Sequence, residues 1–447
     1  MPDIGRLGFW PTICKIYHDK YRCSGMVFQV LRVEGPLTPG MVRKGLSWLQ
    51  RRHPLLRAHL ADDDRYYRFQ IAPDKNGEVD GEIPEVPLRV VNRVDDSQWK
   101  TIIEDESSRD FDPASQVLWR TIFIHSEDDR HCKELITFFH HCLVDGVSTT
   151  RFVHDLLSSC SRIATGSNHV QDVVSLPLLP PAERMLPEIS SSRKFIRQDR
   201  QKDSPERRQA PWDFELYEPL HERKARSLYF QINEDIMIRL KDRCKREKTT
   251  LNSALLLALL LSAFKKVESE HQVCFSFAID LRTYCEPKIT SEHFGCYIMM
   301  VQAGLTFSKK LSFWDLARNW SKELIKRVIV SRKQGFMPKE FHKSFLTSLV
   351  EGNLSESDEQ RHFPWGPALS DLGDLPLLEE YGPYRPREIF HGTVQVSGLY
   401  YVFLGVATYR GKLFCTLSYT EPLLSRETAT SIAESFVSQL ETACKPH

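Results

Sequence analysis

The stretch ELITFFHHCLVDG, Glu134 to Gly146, is the most informative part of this sequence. Its first half is a continuous apolar run, which is typical of a strand covered on both faces. Its second half places His140, His141 and Asp145 after that strand. An unperturbed histidine has a pKa of about 6.5, so a histidine mounted on a rigid strand end can act as a general base near neutral pH.

The polar residues of this stretch should have different roles. Side chains alternate along a strand, so His140 and His141 are expected on opposite faces, and only one of them can address a given cavity. Asp145 is expected on the turn, where its carboxylate either orients the imidazole or pairs with a distant cation. Gly146 lets the backbone turn sharply where a side chain would clash.

The elements around this stretch can be predicted from residue spacing and capping. A helix should begin after Thr38, with Pro39 at its first position, and end at Arg52. The segment DDDRYYRFQIA, from Asp62, is typical of a single strand. A short helix is predicted over Ser148–Leu157.

The second half of the chain repeats this mixture of helices and strands. Helices are predicted after N-caps at Asn233 and near Asn252, and a strand is predicted from His271 to Arg282. A hairpin should turn at Arg410-Gly411, with alternate residues of its second strand facing the core.

This distribution indicates two α+β domains of similar size. Residues 1–165 are predicted to form a first lobe that carries the histidine motif, and residues 216–447 a second lobe. Residues 166–215 are predicted to form a charged, proline-containing linker. Basic and acidic residues alternate there with almost no aromatic residues, which favours a solvated connector over a nucleic-acid-binding patch.

Composition excludes several classes of protein. The 60 lysines and arginines balance 59 aspartates and glutamates, so no global field is available to hold nucleic acid. The 11 cysteines include no CxxC pair, so neither a disulfide framework nor a zinc ribbon is predicted. The longest apolar run, Leu251 to Phe264, is shorter than the ~20 residues of a membrane-spanning helix. No secretory signal pattern is present, and a cytoplasmic location is expected.

The pattern HHxxxDG resembles the signature of the chloramphenicol-acetyltransferase-like superfamily. That superfamily includes peptide-synthetase condensation domains, BAHD acyltransferases, and polyketide-associated and alcohol acyltransferases. Other segments are similar in the same order along the chain: RRHPLLR from Arg51, FDPASQVLWR from Phe111, AIDLRTYCEP followed by HFGCYIMM, and LSDLGDLP from Leu369. The resemblance therefore extends over most of the chain and is most specific at the histidine motif.

The resemblance implies two similar lobes, each a mixed β-sheet with helices, that form a pseudo-dimer around a central tunnel. His141, the second histidine, would lie in the tunnel as the general base, and His140 would be structural. Asp145 would point away from the imidazole and form an ion pair with an arginine of the second lobe, for which Arg282 is the candidate. With Gly146, this pair would hold the motif loop.

The implied reaction is acyl transfer from an acyl-CoA thioester to a hydroxyl or amine of a small molecule, with oxygen favoured over nitrogen. Acyl-CoA would be a co-substrate, and no permanently bound cofactor is expected. The DFGWG segment of the BAHD branch is absent, which makes that branch less favoured. Two alternatives stay open: a donor tethered to an acyl or peptidyl carrier protein, and a non-catalytic condensation-like binding module. A monomer is expected.

Other residues carry weaker signals. Ser370, in LSDLGDLP, and Trp365, in PWGP, are candidate substrate-binding residues, although packing in a loop also explains Trp365. Cysteines and histidines cluster between His131 and Cys142. Zinc ligands usually occur in tight pairs on turns or on one helix face, so no metal site is predicted there. Cys142 is predicted to be a packed core thiol.

Overall fold

The computed structural model describes residues 5–63, 66–71, 84–111, 117–126, 132–166, 173–187, 212–264, 271–307, 310–333, 336 and 361–445. The helices among them are α1 (Phe9–Lys20), α2 (Pro39–Arg52), α3 (Gln98–Glu106), α4 (Gly146–Ala164), α5 (Ala182–Met185), α6 (Glu234–Arg246), α7 (Leu251–Ala263), α8 (Phe313–Lys333) and α9 (Arg426–Ala443). The strands are β1 (Val27–Glu34), β2 (Ala58–Asp63), β3 (Tyr66–Ile71), β4 (Leu88–Asn92), β5 (Trp119–His125), β6 (Lys133–Phe139), β7 (Lys224–Ile232), β8 (His271–Asp280), β9 (Ile298–Phe307), β10 (Ala368–Asp374), β11 (Arg385–Thr393), β12 (Phe403–Tyr409) and β13 (Lys412–Glu421).

The strands form two larger sheets and two hairpins. The first sheet has the order β11-β1-β6-β5-β4, and the second has the order β10-β12-β13-β7. Strand β6, which leads into the histidine motif, is buried along its whole length between β1 and β5. A separate hydrophobic core accompanies each large sheet, so the predicted α+β architecture with two lobes is confirmed.

Strand β11 crosses between the two lobes. It lies in the C-terminal half of the chain, yet it pairs antiparallel with β1 at the edge of the first sheet. Residues assigned to the second lobe thus complete the sheet of the first, and the two predicted lobes are not separate along the chain. The boundaries at 165 and 216 stay predictions.

The predicted hairpin is present at Arg410-Gly411, where both residues have positive φ, of 49° and 77°. Its second strand, β13, differs from the predicted alternation, because it is buried on both faces between Leu413 and Thr420. The second face packs toward β11, where the rings of Phe414 and Phe390 lie 5.4 Å apart. The second face of β13, which the sequence pattern predicted to be polar and exposed, is therefore buried by contact between the two lobes.

Several predicted boundaries change. The segment predicted as one strand from Asp62 is the second half of a β2-β3 hairpin, which begins at Ala58. Helix α7 is capped by Thr250 rather than Asn252, because the Thr250 hydroxyl accepts a hydrogen bond from the Ser253 N–H. Asn233 precedes α6 as predicted, but its side chain makes no cap hydrogen bond.

The predicted linker is partly structured. Helix α4 continues to Ala164, and a short helix, α5, follows within residues 173–187. Ala182 and Met185 of α5 are buried in a small core with Phe9 and Ile13 of α1. This described part is therefore packed rather than a solvated connector. Residues 167–172 and 188–211 of the predicted linker lie outside the described part of the chain.

Candidate active site

The histidine motif occupies a turn between a strand and a helix. Strand β6 ends at Phe139, the residues after His140 form the turn, and helix α4 begins at Gly146. The strand alternation expected for His140 and His141 does not apply, because both residues follow the end of the strand. The turn still sends the two rings into different surroundings.

His141 is held through one ring nitrogen. Its Nδ1 lies 2.8 Å from the carbonyl oxygen of Val144. A carbonyl oxygen can only accept, so Nδ1 carries the proton of this hydrogen bond. In the neutral ring, Nε2 then has the free lone pair that a general base requires.

Cys296 of the second half of the chain lies within hydrogen-bonding reach of the His141 ring. Burial alone would lower the pKa of His141, but the Cys296 sulfur and the Val144 carbonyl oxygen raise that pKa to about 9. Burial raises the pKa of the Cys296 thiol well above its ordinary value.

His140 is buried and faces the interior of the first lobe. Its ring centroid lies 4.3 Å from that of His18, and its Nδ1 accepts a hydrogen bond of 3.1 Å from the Cys142 N–H. Burial, with the nearby His18, lowers the pKa of His140 well below its ordinary value. A neutral, enclosed histidine fits the structural role predicted for it. Cys142 is also buried, at 1% exposure, in agreement with the predicted core thiol.

Asp145 is the N-cap of helix α4, a role that the sequence analysis missed. Its Oδ1 accepts from the Ser148 N–H at 3.0 Å, and its Oδ2 accepts from the Tyr297 N–H at 2.9 Å. The Arg282 guanidinium donates to both oxygens, at 2.7 and 2.9 Å. Burial would raise the pKa of Asp145, but Arg282 and the two N–H groups outweigh it and lower that pKa.

Arg282 joins the motif to the second half of the chain. It is 3% exposed and lies two residues after β8, which ends at Asp280 and not at Arg282 as predicted. It also donates to Asp280 at 3.1 Å and to the Ser148 hydroxyl at 3.1 Å. The predicted partners Asp145 and Arg282 are thus in contact, and their carboxylate and guanidinium fix the start of α4.

Gly146 lies in a close contact with a neighbouring side chain rather than at a sharp turn. It is the first residue of α4, and a Cβ placed on it would lie 2.1 Å from Cδ2 of Leu372. Leu372 belongs to LSDLGDLP, one of the segments on which the resemblance rests. The motif and this segment therefore touch at Gly146.

Changing Gly146 to alanine should destabilise the fold by about 1–3 kcal/mol, because the added methyl group overlaps Leu372. In a Leu372→Ala background the same change should cost less, since the overlapping atoms are gone. A double-mutant cycle of urea unfolding measures this coupling. Equal costs in both backgrounds would show that the contact with Leu372 does not decide the residue at this position.

The two predicted substrate-binding residues have other neighbours than the proposed base among the described contacts. Ser370 is half-buried on β10, and its backbone lies near the buried His391 ring. Trp365 is half-buried, and its backbone pairs with that of Tyr400. Among the described residues, no hydrogen bond or ring contact joins either side chain to His141. Their predicted role in substrate binding stays a prediction.

The cysteines and histidines between His131 and Cys142 do not form a group of potential metal ligands among the described residues. His131 lies outside the described residues. Elsewhere, His18, Cys23 and Asp110 bring three potential ligand atoms within 4.8 Å of one another. His18 is already hydrogen-bonded to Asp110 at 2.6 Å, and Arg120 is close enough to act on the pKa values of Asp110 and Cys23. This group is explained as a hydrogen-bonded histidine–aspartate pair beside a buried thiol.

Among the described helices, none combines the length and the apolar character of a bilayer-spanning segment.

Comparison with known families and structures supports this architecture. Residues 24–177, which contain the histidine motif, match the family model of the condensation domain. Comparison with curated protein sequences gives no match.

Solved structures similar to the chain cover nearly its whole length. A trichothecene 15-O-acetyltransferase from Fusarium sporotrichioides has a TM-score of 0.78 and 13% identity, over 99% of this chain and 95% of that one. Polyketide synthase associated protein 5 from Mycobacterium tuberculosis has a TM-score of 0.69 and 15% identity, over 99% and 98%. The first condensation domain of the calcium-dependent antibiotic synthetase has a TM-score of 0.69 and 13% identity, over 100% and 97%.

At these identities, the structural likeness shows the fold, and the match of residues 24–177 adds the family of the segment with the motif. The two findings agree with the resemblance inferred from HHxxxDG and the later segments. The chain therefore has the two-lobed condensation and acyltransferase fold, and its residues 24–177 match the condensation-domain family.

Proposed function

We propose that the chain is an acyltransferase that moves an acyl group from acyl-CoA to a hydroxyl of a small-molecule acceptor. The observation that carries this proposal is the arrangement of His141. Its Nδ1 is fixed on the Val144 carbonyl oxygen, and its Nε2 is left as the basic nitrogen of the neutral ring. The O-acetyltransferase among the similar structures supports oxygen over nitrogen as the acceptor atom.

The reaction needs no side-chain nucleophile. The acceptor oxygen forms a bond to the thioester carbonyl carbon while its proton passes to Nε2 of His141. The resulting tetrahedral adduct breaks its carbon–sulfur bond, and the departing thiolate takes up the proton. A thiol has a pKa of about 8.5 and leaves readily. Base catalysis of this kind typically contributes about 10²–10⁴-fold.

The donor decides between this proposal and its nearest alternative. A carrier protein presents the same thioester on a tethered arm, and condensation domains are among the similar structures. If the donor is acyl-CoA, as proposed, free acyl-CoA should support acceptor-dependent thiol release without a carrier protein. Release only from carrier-bound acyl groups would favour the condensation-like alternative, and release from neither would favour a binding module.

The pH dependence of kcat/KM should report the contact between His141 and Cys296. A base works when unprotonated, so a pKa of about 9 predicts that kcat/KM rises with pH until about pH 9. Cys296→Ala removes the sulfur that raises this pKa and should move the midpoint to lower pH. Cys244→Ala, at a buried thiol in α6, is the control. An unchanged midpoint in Cys296→Ala would contradict the coupling.

A further inference from the structure

Residues 292–297, which lie between β8 and β9, form a strap that packs against the first half of the chain. The strap carries Cys296, whose sulfur contacts the ring of the proposed base, His141. Strap residues on both sides of Cys296 are also bound to the first half of the chain. These contacts determine where Cys296 lies relative to the base.

Ser148, in the first turn of α4, binds the strap next to Cys296. Its hydroxyl donates to the Gly295 carbonyl oxygen at 2.9 Å and accepts from the Gly295 N–H at 3.2 Å. The Arg282 guanidinium also donates to this hydroxyl, at 3.1 Å. Ser148 is 0% exposed, so loss of the hydroxyl would leave the Gly295 N–H unpaired and away from water, which is costly.

The strap has little freedom on the other side of Cys296. The Tyr297 N–H donates to Oδ2 of Asp145 at 2.9 Å, and the Tyr297 ring lies 4.8 Å from the Arg282 guanidinium. The same ring packs against Gly295, where an added Cβ would lie 2.4 Å from Cε2 of Tyr297. A side chain at position 295 would therefore push the ring away.

The start of the strap is held more weakly. Glu292 forms ion pairs with Arg52 at 3.1 Å and with Arg151 at 3.6 Å, but its side chain is half-exposed. Exposed ion pairs contribute little to stability. The Phe294 ring lies 4.3 Å from the His53 ring, between their centroids. The buried bonds of the Ser148 hydroxyl should therefore contribute most to the position of Cys296.

We propose that Ser148 is a positioning residue of the proposed acyl transfer: its hydroxyl holds Gly295 and thereby keeps Cys296 against the His141 ring. Among the described residues, no hydrogen bond joins Ser148 to this ring, so Ser148 acts through Cys296. Its hold on the strap rests on the contacts above, whereas its effect on the reaction rests on the proposed function.

Other titratable groups lie around the contact between Cys296 and His141. Among the described residues they include His140 of the motif turn, Asp145 of α4, Arg282 and Tyr297 of the second half, and Cys14, Lys15 and Asp19 of α1. Ser148→Ala removes none of these groups. A changed titration of His141 in this variant therefore reports a changed position of Cys296.

Two measurements on the free protein test the proposal without turnover. NMR titration of the imidazole carbons, with His141 assigned from a His141→Gln protein, compares the wild type, Ser148→Ala, Cys296→Ala and the double variant. Native alkylation by iodoacetamide, read by peptide mass spectrometry, gives the reaction rate of Cys296, with the buried Cys415 as internal reference. Ser159→Ala removes another buried hydroxyl of α4, bonded within that helix, and is the matched control.

Ser148→Ala should lower the pKa of His141 by about 0.5–1 pH unit, because it weakens the contact with Cys296 that raises this pKa. Cys296 should be alkylated about 10-fold faster through local opening of the strap, while Cys415 keeps its rate. In the Cys296→Ala background, Ser148→Ala should cause no further change in the pKa. Ser159→Ala should match the wild type in both measurements.

An unchanged pKa of His141 in Ser148→Ala, a further change in the double variant, or equal acceleration of Cys415 would overturn the proposal. If Ser148→Ala does not fold, Ser148→Cys, which keeps a heavy atom and a weak donor at this position, allows the same pKa comparison.

The reaction supplies a separate readout. The midpoint of kcat/KM against pH should move down in Ser148→Ala together with the pKa of His141. A midpoint that stays while this pKa falls would show that Ser148 has no positioning role in the reaction. Absence of acyl transfer in the wild type would refute the proposed function and leave both measurements on the free protein standing.

Discussion

Replacing His141 with alanine should lower the rate of acyl transfer by about 10²–10⁴-fold, the usual contribution of a positioned general base. The melting temperature should change little. The ring contacts only the Val144 carbonyl oxygen and Cys296 through hydrogen bonds among the described residues, and the residue is only partly buried. Steady-state kinetics with saturating donor and acceptor, together with a thermal melt of the same protein, measure both effects.

Two other histidines make this test specific. His221→Ala, at an exposed side chain, should retain wild-type activity and stability. His140→Ala should lower the melting temperature, because the ring is buried against His18 and accepts the Cys142 N–H. An active His141→Ala protein would remove His141 from the mechanism.

Removing the carboxylate of Asp145 should destabilise the fold by about 3–5 kcal/mol, because the buried Arg282 guanidinium then loses its main counter-charge. The same change removes the N-cap of α4, which carries its own cost of about 1 kcal/mol. Activity should fall together with stability, since the start of α4 adjoins the His141 turn. Urea unfolding of Asp145→Ala measures the loss.

A double variant distinguishes the ion pair from the cap. Asp145→Ala with Arg282→Met should lose less than the sum of the single losses, because no buried charge is left unpaired. Glu380→Ala breaks an exposed pair with Arg385 and should cost at most about 1 kcal/mol. A stable but inactive Asp145→Ala protein would instead assign Asp145 a direct part in the chemistry.

The local parts of this fold follow from the sequence, whereas its long-range pairings do not. Thr38, Pro39 and Arg52 delimit α2 because capping and proline act within one turn of a helix. Nothing in the sequence around Arg385–Thr393 shows that this strand crosses to the first sheet and pairs with β1. That pairing joins β1 and β11, which are roughly 350 residues apart along the chain. No local sequence pattern encodes a contact at such a separation.

The candidate active site likewise combines residues that the sequence pattern indicates with residues that only the tertiary structure brings together. The spacing in HHCLVDG and the resemblance it carries point to His141, Asp145 and Arg282, and the structure brings the last two into contact. Cys296 was missed. Its proximity to His141 arises from tertiary packing, and a lone cysteine after HFG has no distinctive signal in sequence.

The central claim is that His141 takes the proton of an acceptor that attacks a thioester. The most direct measurement follows free coenzyme A and acylated acceptor together, by thiol titration and mass spectrometry, for the wild type and His141→Ala. The account predicts equal amounts of coenzyme A and ester from the wild type and a loss of both in the variant. Coenzyme A released without ester, or equal ester from both proteins, would contradict it.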